Sequence, residues 1–189
     1  MNTSSGNRIT EKELVPLLKK QDRSAQRTLY ERYAGYLVSV CSRYIPENER
    51  VRDILQDSFL RIFRNMDRFD YRGEGSLRAW MTRIVINGAL KDLREQSLLR
   101  IPESYDIPDS AEDPDPGVSG VPVPVLMEMI RKLPDGYRTV FNLYVFEDMS
   151  HKEIARLLGI KENSSCSQYA RARSMLAKEI LDYKRRMKI

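Results

Sequence analysis

Cysteine and histidine are scarce in this 189-residue chain, with two of the first and one of the second. Cys41 and Cys166 lie far apart and form no CxxC pair, so neither a Cys/His zinc site nor a disulfide framework is expected. Such cysteine usage suits a reducing, cytoplasmic setting. Long hydrophobic runs are missing as well: no apolar stretch approaches the roughly 20 residues of a membrane span. No segment alternates apolar and polar residues as a half-buried strand does. Gly73 and Gly75 are followed by no Gly-Lys-Ser/Thr, which excludes a phosphate-binding P-loop. An enzyme would have to work with carboxylates such as Asp53 and Asp57, or with Cys166 and His151. Nothing supplies a metal triad, a nucleophile motif or a glycine cradle, so no catalysis, cofactor, metal or small-molecule substrate is expected. The first residues, MNTSSGNR, lack the apolar centre of a signal peptide, and residues 1–9 read as a frayed tail.

What the chain does have is charge and helical periodicity. Charged residues make up 31% and hydrophobic ones 41%, with a net charge of +5. That excess suits a nucleic-acid partner. Thr10 with Glu13 is a capping box that starts a helix near Glu11, and Pro16 should kink or shorten it. A second start at Asp22 or Ser24 leads into Ala25, Leu29, Tyr33, Tyr36, Val40 and Tyr44 at helical spacing. Val51–Met66 is strongly amphipathic. Ile54, Leu55, Phe59, Ile62 and Phe63 face inward, and Asp53, Gln56, Asp57 and Leu60 lie on the other side. An acidic face in a basic protein points to a basic protein partner. Residues 69–76 read as a loop, after which Ser76 caps a helix to about Glu95. Leu77, Trp80, Ile84 and Leu93 are its expected core, with Arg78, Arg83, Asn87, Lys91 and Arg94 exposed.

Composition then changes. Residues 101–124 hold six of the nine prolines, six acidic residues and no Lys or Arg. Such a segment cannot bury enough apolar surface to fold alone. The expected architecture is all-α: a helical domain over 10–98, a flexible acidic Pro-rich linker over 99–124, and a second helical domain over 125–189. In the second domain Val140, Phe141, Tyr144 and Val145 are the expected core of a helix over 137–146. Ser150 and Glu153 form another capping box, and Gly159 ends the helix that follows. A further helix begins near Glu162, with Tyr169, Ala172, Leu176 and Ile180 as its apolar stripe. Two short helices around a glycine turn make a helix-turn-helix, whose second helix can enter a DNA major groove. On that helix Ser164, Gln168 and Arg171, with Ser167 beside them, form the opposite stripe. They are groups able to read base edges. Ser165 stands where such motifs usually bury Val or Ile.

Two segments together resemble a known family. LPDGYRTVFNLYVFEDMSHKEIARLLGI, Leu133–Ile160, is similar to the C-terminal domain of the extracytoplasmic-function (ECF) sigma factors of bacterial RNA polymerase. RDILQDSFLRIFRN (Arg52–Asn65) and SLRAWMTRIVINGALKDLR (Ser76–Arg94) are similar to their N-terminal promoter-melting domain. The resemblance implies an alternative sigma factor that binds core polymerase, recognises two promoter elements and opens the DNA. Asp53, Gln56, Asp57 and Leu60 would dock on the clamp helices of the largest polymerase subunit, with further contacts to the second-largest. Tyr71, Arg72 and Gly73 of the loop, with Arg83, Asn87 and Lys91, would contact the downstream element as a separated strand. Ser164–Arg173 would read the upstream element as duplex. An anti-sigma factor, often membrane-bound in the family, is a further implied partner.

The chain departs from the family at Cys166 and Gln168, where Lys or Arg is common, so a different upstream element is expected. Ile86 replaces a frequent Arg, which removes phosphate contacts, and Lys161 replaces the usual Ser cap, weakening that helix start by ~1 kcal/mol. The competing reading is a stand-alone helix-turn-helix regulator. It accounts for Met149–Arg173 but leaves the helix around Asp53 and the segment Phe69–Glu95 without a role.

Overall fold

The computed structural model describes residues 9–96 and 117–188. Among these the chain forms eight α-helices, one short 3-10 turn and no strand. It divides into two compact units, Met1–Ser42 with Glu47–Lys91, and Arg43–Pro46 with Asp92–Ile189. The expected linker over 99–124 lies largely outside the described residues.

In the first unit, α1 (Glu11–Lys19) opens on the capping box of Thr10 and Glu13, as the spacing requires. It continues through Pro16 for about one more turn before it stops. The Asp22 carboxylate accepts from the Ala25 amide at 2.8 Å and caps α2 (Arg23–Ser42). Next comes α3 (Asn48–Arg64), which buries Val51, Ile54, Leu55, Ser58, Phe59 and Ile62. A 3-10 turn, Met66–Arg68, leads to the loop and to α4 (Ser76–Glu95). Leu77, Met81, Val85, Ile86 and Ala89 of α4 are buried. Gly88 is where α4 comes close to α3: a Cβ there would lie 3.1 Å from Ile54 Cγ2 and 3.3 Å from Ser58 Oγ. Gly88→Val should therefore force α4 outward and cost about 1–3 kcal/mol. A thermal melt checks this, and an unchanged midpoint would mean that the contact yields freely.

The second unit begins its helices at α5 (Val123–Arg131), two residues earlier than the expected Val125. It continues with α6 (Asp135–Val145), α7 (His151–Leu158) and α8 (Glu162–Met187). Met129, Ile130 and Leu133 pack with Ala172, Leu176 and Ile180 of α8. The expected core of α6 needs correction. Val140 is buried, but Tyr144 and Val145 are exposed, and Arg138, Thr139 and Asn142 are buried instead. Arg138 avoids the cost of a buried unpaired charge by donating to the Leu133 carbonyl at 2.7 Å and the Arg131 carbonyl at 3.1 Å, and by pairing with Asp135.

Candidate nucleic-acid and protein interfaces

Three surfaces carry the residues singled out from the sequence. The first is the outer face of α3. Asp53, Gln56, Asp57 and Leu60 are all exposed there, at i, i+3, i+4 and i+7. Leu60 is 46% exposed, a large apolar side chain left beside two carboxylates. Adjoining it, Tyr30, Ala34 and Val38 of α2 and Leu55, Phe59 and Phe63 of α3 line an open, mainly apolar groove of about 500 Å³. The exposed carboxylates of Asp53 and Asp57, with Leu60 on the same face, suit a basic, partly apolar helical partner.

The second surface is built by the loop 69–76 and α4. Gly73 (φ 116°) and Gly75 (φ 86°) adopt backbone conformations that L side chains rarely take. Ser76 is the first residue of α4 rather than its cap. Its hydroxyl donates to the Gly73 carbonyl at 2.6 Å and accepts from the Arg72 amide at 3.2 Å, closing the loop on itself. The Glu11 carboxylate of α1 accepts from the amides of Gly75 (2.9 Å) and Leu77 (3.2 Å). Arg72 stands exposed and Tyr71 half-exposed. Along α4, Arg83, Asn87 and Lys91 recur every four residues and are all exposed, so they form one stripe. Asn87 makes no side-chain hydrogen bond to the described residues.

Trp80 was expected in the core and is not there. It is half-exposed, braced by the buried Phe69 ring at 5.0 Å between centroids. Two grooves meet at it. One, of about 410 Å³, runs past Arg68, Asp70, Arg72, Ser76, Ala79 and Arg83. The other, of about 330 Å³, is lined by Arg61, Asn65, Arg68, Ile84 and Asn87. An indole face flanked by arginines and a free amide can stack a base, neutralise phosphates and read an unpaired edge. Ile84, also expected inside, is half-exposed beside it, whereas Ile86 is 5% exposed and belongs to the core. A side chain at position 86 therefore faces away from any phosphate. Sequence spacing could not reveal Trp80, because an indole suits a core and a stacking platform equally.

The third surface is the helix-turn-helix. Its capping box forms as expected: the Glu153 amide donates to Ser150 Oγ, and Glu153 accepts from the Ser150 amide at 2.9 Å. The Ser150 hydroxyl and then its amide hold the Glu153 carboxyl below its ordinary value. Gly159 ends α7 in the left-handed conformation (φ 72°). Lys161 caps α8 without a side-chain hydrogen bond. The phase of α8 differs from the expected one. Its buried stripe is Ser165, Gln168, Ala172, Leu176 and Ile180, so Gln168, at 4% exposure, faces inward. Both of its amide atoms are buried without a partner. Arg171 is half-buried and donates to Tyr137 Oη at 3.1 Å. Ser164 and Ser167 are half-exposed, and Ser167 Oγ bonds back to the Asn163 carbonyl. The exposed stripe is Asn163, Cys166, Ala170 and Arg173. Ser165, where an aliphatic residue was expected, is fully buried and meets His151 Nδ1 at 3.0 Å. His151 in turn stacks on Tyr144 at 4.6 Å between ring centroids.

Comparison with known proteins covers both units. Residues 29–98 match the family described as Sigma-70 region 2, and residues 125–176 match Sigma-70, region 4. The ECF RNA polymerase sigma-E factor of Haemophilus influenzae is 27% identical over 184 residues, covering 91% of this chain and 96% of that protein. The RNA polymerase sigma factor NccH of Alcaligenes xylosoxydans xylosoxydans is 30% identical over 164 residues, covering 82% of this chain and 86% of that protein. Among solved structures, CnrH in complex with the cytosolic domain of CnrY matches with 22% identity and a TM-score of 0.47, over 90% of this chain and 96% of that one.

Proposed function

The chain belongs to the sigma-70 family as an alternative RNA polymerase sigma factor of the ECF type, and from that premise we propose how its three surfaces divide the work. The family binds core polymerase and promoter DNA, and matches over both segments favour this reading over a stand-alone regulator. The α3 face of Asp53, Gln56, Asp57 and Leu60 docks on the basic clamp helices of the largest subunit. The loop 70–76, Trp80 and the stripe Arg83–Asn87–Lys91 take the downstream element as a separated strand. The helix-turn-helix reads the upstream element as duplex. The chain works in the cytoplasm beside polymerase and performs no catalysis itself. The apolar α2–α3 groove is the surface we assign to an anti-sigma partner. The observation that carries the reading is the pairing, within one unit, of an exposed acidic helix face with an arginine-flanked, half-exposed indole. Gel filtration with core polymerase, followed by binding to single-stranded and duplex forms of a downstream element, tests it. Core binding without preference for the single non-template strand would contradict it.

The phase of α8 revises the duplex readers. We assign them to Cys166, Ala170 and Arg173, with Asn163 and Ser167 at the edge, rather than to Gln168 and Arg171. Arg173→Ala should weaken upstream-element binding by about 1–3 kcal/mol and relax base preference. Gln168→Met exchanges two unpaired buried amide atoms for apolar ones. It should leave base preference unchanged and the melting temperature equal or higher. A randomised-promoter selection checks both, and an altered preference in Gln168→Met would return Gln168 to the reading set.

A further inference from the structure

Glu11 is a buried carboxylate behind the second surface, outside the residues assigned to contact DNA or polymerase. It is the first residue of α1, directly after the Thr10 cap, yet only 2% exposed. A charge so placed is costly unless hydrogen bonds satisfy it. Among the described residues no cation pairs with it. Tyr33 Oη donates to one carboxylate oxygen at 2.8 Å. The other oxygen takes both loop amides, Gly75 at 2.9 Å and Leu77 at 3.2 Å. Burial, and then that bond to Glu11, push the Tyr33 phenol up to about 12. The two amides belong to the entry of α4, where the first N–H groups of a helix have no partner inside it and a carboxylate is favoured. Glu11 thus caps α4 from 64 residues away in sequence. It grips the backbone beside Gly75, whose φ of 86° is among the least self-determined in the loop.

We propose that Glu11 is a positioning residue for strand opening. It touches neither DNA nor polymerase. By holding Gly75 and Leu77 it presents Tyr71, Arg72 and Trp80 in one arrangement, and so governs the rate and base selectivity of opening. The proposal rests on the reading of loop 70–76 as a downstream-element surface.

A graded series separates positioning from mere stability. Glutamine can keep one oxygen toward the two amides and turn its NH2 toward the Tyr33 hydroxyl, but neutral acceptors bond more weakly. Leucine fills the volume and accepts nothing. Full-length Glu11→Gln and Glu11→Leu are assayed with core polymerase for affinity, opening rate and preference among downstream sequences. The expected order of rate and selectivity is wild type, Gln, Leu. Glu11→Leu should open roughly tenfold more slowly or worse, because two buried amides lose their acceptor. Core affinity should be unchanged, since the α3 face is intact. Should Glu11→Leu lose its fold, Glu11→Gln decides alone: amide exchange at Gly75 and Leu77 should quicken as opening slows. Quicker exchange with wild-type opening, or unchanged exchange, overturns the proposal. A photo-crosslinking residue at position 72 of the otherwise wild-type chain separates the two levels. Crosslinks to the downstream strand with Glu11→Gln indistinguishable from wild type defeat the positioning role only. No crosslink in the wild type defeats the reading of the loop, and the proposal with it.

Discussion

Reversing Asp53 and Asp57 to lysine is expected to cost this protein its place on core polymerase. Both carboxylates are exposed on α3, one turn apart, with Gln56 and Leu60 on the same face. None of the four contributes to the unit's core, which is built from Val51, Ile54, Leu55, Ser58, Phe59 and Ile62 of the same helix. The fold should therefore survive, and a thermal melt should show it. Against a basic coiled coil, two acid-to-base reversals replace attraction by like-charge contact, which costs several kcal/mol. Competition for core polymerase against the unmodified chain should then require at least about a hundredfold more of the double variant. Leu60→Ala should weaken docking more modestly, because it removes apolar area and adds no repulsion. A double variant that competes at wild-type concentration would remove this face from the polymerase interface.

The second large effect is expected on α4. Trp80→Ala removes a half-exposed indole that two arginine-lined grooves share. Loss of base–aromatic stacking costs about 1–3 kcal/mol per base, which is about fivefold to somewhat over a hundredfold in opening. Asn87→Ala removes an exposed amide with no internal hydrogen bond, so its loss should barely disturb stability. An extruded base costs a few kcal/mol of unstacking, and the site must return it through contacts such as these. Both variants should bind core polymerase normally, lose preference for the single non-template strand, and slow the appearance of permanganate-reactive thymines. Opening at the wild-type rate by Asn87→Ala would leave that residue a surface amide, and the same result for Trp80→Ala would leave the indole a packing group.

Local chemistry made much of this architecture readable. Thr10 with Glu13 and Ser150 with Glu153 announce helix starts because one carboxylate and one hydroxyl satisfy two orphan amides within a single turn. Gly159 announces a helix end because only a residue without Cβ takes the left-handed conformation cheaply. The exposed face of α3 was readable because a long helix with a strong apolar stripe leaves no freedom of phase. On α8 polarity points Gln168 outward, although Ala172, Leu176 and Ile180 extended backward at helical spacing reach it. The phase was the better guide. Polarity and phase disagree at Gln168 because a buried Gln with no partner is rare. In α6 polarity and register likewise disagree, since Arg138 and Asn142 are buried while Tyr144 and Val145 are exposed. Glu11 was beyond reach altogether, since its partners are more than twenty residues away along the chain.

We propose that this chain confers promoter opening on core polymerase by presenting a separated downstream strand to loop 70–76 and α4. Permanganate footprinting of core polymerase on a promoter selected with this chain, with and without it, and with Asn87→Ala or Trp80→Ala in its place, tests that most directly. Reactive thymines are expected in the downstream element only when the chain is present, appearing at least several-fold more slowly with either variant. A chain that binds the promoter without polymerase, and leaves the downstream element unreactive when polymerase is added, would contradict it.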